Sequence, residues 1–267
     1  MITKNKRKGV SNSRNLGIEL SKGKYIYFLD FDDMIKSNSL EILVDIAERN
    51  NYKIVYGGYE RKKELVLSGD KACDYTVYDI SYDSLNSLLY SGTIWGGIID
   101  SEIIKKNNIK FDESLQYGED TIFKFNILRY IDKLVVTYEK LYYWRIVSGS
   151  LSYKASDYDL LQKELKMVKS MYSNIDKYKN KNYISIVIKF IRVKKNSMYR
   201  IIFDSEKDIQ NYKILDSIRI PFKYILKSNM KYKDKLIESL YSLLYFMDRY
   251  YIWKVLFRVK IFINNAI

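Results

Sequence analysis

The chain has 267 residues and a net charge of +14, with 27 tyrosines, one proline, one cysteine and no histidine. The missing histidine excludes a Ser-His-Asp triad, a Cys-His pair and a His-ligated zinc, and a lone Cys73 excludes an internal disulfide or a cysteine metal cluster. Any bound metal is therefore a hard ion held by carboxylates and carbonyls, and any general base is Asp, Glu, Lys or Tyr.

The N-terminus, Met1 to Val10, is basic but lacks the apolar core of a signal peptide. No uninterrupted apolar run reaches the roughly 18 to 20 residues of a membrane span, so a cytoplasmic protein is expected. Val10 to Leu20 predicts a helix, with Ser11 or Ser13 as cap and Gly23 as stop. Lys24 to Leu29 is a nearly unbroken apolar run, the pattern of a strand buried on both faces, and it ends in Asp30, Asp32 and Asp33. Asn38 with Glu41 makes a capping-box pattern, and Leu40, Leu43, Val44 and Ala47 supply one apolar helix face. Asn50-Asn51 ends that helix, and Ile54 to Tyr56 reads as the next strand. Strand, helix, strand in this order is a βαβ pattern, which predicts an α/β fold with a parallel sheet.

Further on, the spacing predicts a helix near Tyr82 to Tyr90, a strand through Thr93 to Ile99 and a short helix from Ser101 to Asn107. Gly118-Glu119-Asp120 opens a helix carrying Phe123, Ile127 and Tyr130 at helical spacing, and Leu134 to Val136 and Leu141 to Trp144 read as strands. Beyond Ser156 the pattern turns to long helices: Leu161, Leu165, Val168, Tyr172 and Ile175 in the first, Tyr183 to Phe203 in the second, Leu236 to Ile263 in the third. Residues 1–153 hold 22 Lys/Arg against 21 Asp/Glu, and residues 154–267 hold 24 against 11. Charge and periodicity together predict an α/β domain over 1–153 and a basic, all-helical region over 154–267.

Three carboxylates in four positions beyond a buried strand lie where ligands bind in open α/β sheets. Their mutual repulsion invites a divalent cation, which would bridge the two phosphates of a nucleotide-sugar. The alternative is that Asp32 and Asp33 only begin the next helix, where acids suit the dipole. Asp120 likewise has two readings, a reactive carboxylate or a helix N-cap.

Gly9-Val-Ser-Asn-Ser-Arg-Asn-Leu-Gly17, followed by Gly23-Lys-Tyr-Ile-Tyr-Phe-Leu-Asp-Phe-Asp-Asp33, resembles in identity and spacing the middle of a family 2 glycosyltransferase. That family's pattern runs G-x-S-x-A-R-N-x-G and then G-x-Y-I-x-F-L-D-x-D-D; Ser13 stands at its alanine. Gly118-Glu119-Asp120 resembles its G-E-D block, and the resemblance covers about residues 7–152. It implies a Rossmann-like GT-A domain with a mostly parallel sheet, acting with inversion on a nucleotide-diphosphate sugar and using Mn2+ or Mg2+. By resemblance, Asp32 is the main metal ligand, Asp30 contacts ribose or metal, and Asp33 supports the metal shell. Arg14 lies near the nucleotide base or diphosphate, Asp120 is the catalytic base and Glu119 orients the acceptor. Trp95 stands where an aromatic residue lies near the acceptor, the alternative being a core tryptophan. Tyr143-Trp144-Arg145 and Ser148 to Ser152 resemble the block that closes over the diphosphate, with Arg145 on phosphate oxygens; the histidine many relatives carry there is missing.

Family members have a long stretch before the first block, which supplies the strands that hold the nucleotide base. Here eight residues precede Gly9. The expectation is an N-terminally truncated GT-A domain, with an inactive remnant or a subunit completed by another chain as alternatives. The acceptor class implied is a glycan or lipid-linked acceptor in cell-surface polysaccharide synthesis. Interleaved basic and aromatic residues from Tyr250 to Phe262 suit peripheral contact with the inner face of the cell membrane, the alternative being a helical bundle with a basic polar face. A nucleic-acid-binding protein is the rival from another class. The near-neutral first 153 residues count against it, so no nucleic-acid partner is expected.

Overall fold

The computed structural model describes residues 9–62, 74–80, 93–146, 157–175 and 181–205, and, near the C-terminus, 222–228, 230, 232 and 235–236. The expected helix at Tyr82 to Tyr90, the loop Ser148 to Ser152, Cys73 and nearly all of the third long helical run, Tyr250 to Phe262 included, lie outside the described residues. The chain divides into two compact units, Met1–Ser156 and Asp157–Ile267.

The first unit opens with α1 (Val10–Leu20), which follows Gly9 at φ 120° without a side-chain cap; Ser13 instead donates its hydroxyl back to the Gly9 carbonyl. Strand β1 (Tyr25–Tyr27) is half as long as the apolar run predicts, because its one partner among the described residues, β5 (Gly97–Asp100), is itself short. Phe28 then leaves the sheet and packs edge-on against Phe111 and Phe123, whose rings stack at 3.8 Å. After a two-residue strand β2 (Met34–Ile35) comes α2 (Ser39–Asn50). Its buried face is Leu43, Ile46 and Ala47; Leu40 is exposed, and Ser39 anchors the helix by donating its hydroxyl to the Leu141 carbonyl. Asn38 stands at the N-cap but makes no side-chain capping bond, and Asn51 ends the helix in the left-handed region.

Strands β3 (Ile54–Lys62) and β6 (Lys133–Arg145) form the long parallel centre of the sheet, and β6 merges the two strands expected at Leu134 and Leu141. The strand order is β1-β5-β3-β6-β2, and β4 (Tyr75–Asp79) shares the outer edge of β6 with β2. Among the described strands, β3–β6 is the one parallel pairing and the other four are antiparallel, so the sheet is mixed rather than mostly parallel. The βαβ pattern does set β1 and β3 in the same direction, but that fixes direction and not adjacency. Strand β5 arrives from later in the chain and slots between them, antiparallel to both. Gly97 permits this: a Cβ there would lie 2.5 Å from a ring carbon of Tyr56, its register partner on β3.

Two further helices complete this unit, α3 (Ser101–Lys106) and α4 (Glu119–Leu128). Leu43, Ile46, Ala47, Val55, Ile98, Val135 and Leu141 form the core that fixes α2 to the sheet. In the second unit the described elements are all helical: α5 (Asp157–Ser173), α6 (Lys181–Ser205) and α7 (Phe222–Lys227). Leu161, Leu165 and Val168 of α5 are buried, as are Tyr183, Val187 and Ile191 of α6, and a part-buried Glu164–Lys194 ion pair of 2.6 Å ties the two helices. No helix among the described residues is long and apolar enough to cross a membrane.

Candidate active site

The site grows from the end of β1. Where pairing with β5 stops, the chain turns, the Asp33 N–H closing on the Asp30 carbonyl at 3.1 Å. The turn throws Phe31 fully outward, at 99% exposure, and drives Asp33 inward. Both Asp33 oxygens are engaged: Tyr142 donates its hydroxyl at 2.6 Å and Arg145 its backbone N–H at 2.9 Å. Burial raises the Asp33 pKa, and those two donors oppose the rise without cancelling it. The same Tyr142 oxygen lies 3.4 Å from the Asp30 N–H, so one phenol on β6 braces both ends of the turn. Trp95 stacks on that phenol ring at 4.3 Å, with Tyr59 and Trp144 against it, and is 8% exposed.

Arg14 joins this turn to the second acidic site. From α1 its Nη2 donates to Asp30 at 3.0 Å, while Nη1 donates to Asp120 and, at 3.4 Å, to Glu119. The Arg14 side chain is 12% exposed, and its guanidinium lies over the Phe111 ring. Its neighbour Asn15 locks the segment in place by donating to the Phe111 carbonyl and accepting the Phe111 N–H.

Gly118, at φ 76°, turns the chain into α4 in a conformation that side chains disfavour, and sets Glu119 and Asp120 in the first turn. Burial pushes Asp120 up to about 7; Arg14 and Lys124 pull against it, while Glu119 and Asp30 push with it. Lys124, one turn along α4, is itself buried, and burial lowers it to about 8 against the pull of Asp120. A carboxylate poised near neutrality has the proton affinity a general base needs.

The structure thus brings Arg14, Asp30, Glu119 and Asp120 into one charged cluster. Asp33 is tied to the backbone of Arg145, whose side chain is exposed, and Trp95 is tied to the turn through Tyr142. Tyr142, Asn15, Tyr56 and Lys124 escape the sequence reading; Asn15 had a signal beside Arg14, and Lys124 lies one turn from Asp120. No group of three or more acidic, cysteine or histidine side chains gathers as a metal cage among the described residues. With Asp30 on Arg14 and Asp33 on Tyr142 and Arg145, the half-buried Asp32 is the carboxylate left for a hard cation. One carboxylate completed by substrate phosphates is a common way to hold such an ion, so the residues fit it.

A family model described as Glycosyl transferase family 2 matches residues 1–94. EpsJ of Bacillus subtilis, an uncharacterized glycosyltransferase, is 25% identical over 176 residues, covering 62% of this chain and 51% of its own length. TarP of Staphylococcus aureus, a poly(ribitol-phosphate) beta-N-acetylglucosaminyltransferase, is 28% identical over 121 residues, covering 43% of this chain and 35% of its own length. The chain therefore spans about half or less of these curated relatives. Among solved structures, residues 1–349 of S. aureus TarS in complex with UDP-GlcNAc match with a TM-score of 0.60 at 16% identity, over 82% of this chain and 64% of that one. That likeness gives the fold, a GT-A type α/β fold. The Gly9–Gly17 and Gly23–Asp33 blocks fall inside the matched residues, so the N-terminal part of this chain is similar to glycosyl transferase family 2 over the stretch that carries both blocks.

Proposed function

We propose that residues 1–153 form the working part of an inverting glycosyltransferase, which moves a sugar from a nucleotide-diphosphate donor to a glycan or lipid-linked acceptor in cell-surface polysaccharide synthesis. The observation that carries this reading is Arg14, which joins Asp30 at the end of β1 to Asp120 at the start of α4. One cation shared by two acidic sites puts a donor-diphosphate position and a base within reach of each other.

In this reading an acceptor hydroxyl lies against Asp120, with Glu119 orienting it. The oxygen forms its bond to the anomeric carbon while the bond from that carbon to the diphosphate breaks. The electron pair leaves with the diphosphate and the hydroxyl proton passes to Asp120. A single displacement inverts the anomeric centre. Asp32 would hold Mn2+ or Mg2+, with Asp30 and Asp33 supporting it; such an ion neutralises charge developing on the leaving diphosphate. The exposed Arg145 side chain lies one bond network from Asp33 and serves the same phosphates, and Trp95, through Tyr142, supports the acceptor side.

TarS binds UDP-GlcNAc and TarP acts on poly(ribitol-phosphate), which supports a uridine-diphosphate sugar and a surface polymer as classes for this chain. The excess charge of residues 154–267, 24 Lys/Arg against 11 Asp/Glu, supports a basic helical region in contact with an anionic cytoplasmic membrane face, where lipid-linked acceptors would be met.

The test is nucleoside-diphosphate release from a panel of UDP-sugars with Mn2+, using wild type and Asp120→Asn. Donor-dependent turnover in wild type, lost in the variant while donor affinity in calorimetry is kept, is expected. Equal turnover in both proteins overturns the assignment.

A further inference from the structure

Two different cations serve Asp120. Arg14 reaches it from α1 and is shared with Asp30 and Glu119, on the side where donor phosphates would lie. Lys124 comes from Asp120's own helix, four positions later, so the two side chains project from one face of α4. Lys124 is 2% exposed, and its Nζ lies 4.9 Å from the centre of the Tyr56 ring on β3. Phe123, Phe125 and Ile127 around it are buried too. A lysine so placed forfeits hydration that an ordinary packing residue would not, and a nearby anion is its natural compensation.

Among the described residues, the groups that face Asp120 are Arg14 from α1, Asp30 from the turn after β1, Glu119 and Lys124 from α4, and Tyr56 from β3. Tyr56 contributes no charge. Its hydroxyl is buried without a hydrogen-bond partner among the described residues, and burial raises its pKa. Of the two cations, Lys124 is the more deeply buried.

We propose that Lys124 is a positioning residue for the base: packed between α4 and β3, it keeps the Asp120 carboxylate ionised when the donor diphosphate draws Arg14 away. This rests on the reading of Asp120 as the base. Lys124 never touches substrate; it acts through Asp120. Its fall to about 8 leaves it mostly charged at neutral pH, as the role requires.

The experiment is a pH titration of the full chain carrying 13C at Asp carboxyl and Lys Cε positions, read by NMR in wild type and Lys124→Met, alongside pH profiles of kcat/KM. The variant should raise the proton affinity of Asp120 by about tenfold, and the rising limb of kcat/KM should move to higher pH by the same factor. An Asp120 midpoint that stays put while turnover falls equally at every pH shows a packing role only and overturns the proposal. Should Lys124→Met fail to fold, wild type alone decides it. Coupled groups each report the other's titration, so an Asp120 signal with no inflection where Lys124 loses its proton overturns it. Failure of the base assignment looks different: Asp120→Asn would then keep its turnover, whatever the titration shows.

Discussion

Arg14 and Asp120 stand 106 positions apart in the chain and meet in one ion pair, with the other end of the guanidinium on Asp30 at 3.0 Å. The contact needs three elements in place: α1 to carry the arginine, the turn after β1 to present Asp30, and Gly118 to aim the first turn of α4. A fork is required, because two carboxylates are held from two nitrogens of one side chain.

Arg14→Ala leaves Asp30, Glu119 and Asp120 without their shared cation. The expected cost is about 3 kcal/mol in urea unfolding, the scale for breaking a partly buried pair from one side. Arg14→Lys keeps the charge but loses the fork, so it should recover part of the stability and little of the donor affinity.

Asp120 makes stability depend on pH in a defined direction. Its folded pKa is raised from 3.8 to about 7, so between those values the folded chain holds the proton more tightly than the unfolded one. Stability from this group is present at low pH and is lost as pH rises from about 4 to about 7. Asp120→Asn removes that loss. Unfolding measured at pH 5 and pH 8 should show the variant gaining on wild type at the higher pH, while general-base catalysis drops by about 10²- to 10⁴-fold.

The acids of this site were legible because each sits in a contiguous block: Asp30 to Asp33 after an apolar run, Glu119 and Asp120 after a glycine. The helices α1, α2, α3 and α4 were legible from periodicity and stop residues. Pairing was not. Nothing local in Gly97–Asp100 says that this strand inserts between β1 and β3, since that depends on the missing Cβ of Gly97 meeting the Tyr56 ring. Nor does Tyr142 announce itself among 27 tyrosines; its role is set by the register of β2 on β6, which puts it beside Asp33. Long-range register is written in packing, which a linear pattern does not display.

In the proposed site, Asp32 is the position at which metal binding would separate from folding. It is half-buried at the turn, while Asp30 and Asp33 are both engaged by the protein. Asp32→Asn should abolish the Mn2+-dependent part of UDP binding in calorimetry and leave the melting temperature within about 1 °C, as expected for a surface change. Asp33→Asn should lower the melting temperature, because the amide offers one acceptor oxygen where the carboxylate offers two, one to the Tyr142 hydroxyl and one to the Arg145 N–H.

Tyr142→Phe removes one donor from a buried carboxylate while leaving the Trp95 stack intact. Asp33 then keeps only the Arg145 N–H, and its already raised pKa should rise further because an opposing hydrogen bond is gone. The expected cost is about 1–3 kcal/mol, measured by denaturant midpoint, and it should shrink at low pH as Asp33 takes up a proton.

Gly97→Ala tests the coupling between strand insertion and the buried side of the site. The new Cβ would lie 2.5 Å from Tyr56 Cδ1 and 2.7 Å from the Val55 carbonyl oxygen. The backbone contact cannot yield by rotation, so either β5 shifts from β3 or the tyrosine ring moves. That ring is the surface against which Lys124 rests at 4.9 Å. The expected loss is about 2–3 kcal/mol from overpacking. If the ring moves, the Asp120 titration shifts as well, even though Gly97 carries no charge. Carboxyl NMR on the variant reads that shift directly; an unchanged Asp120 midpoint at reduced stability would locate the whole effect in the β5–β3 pairing.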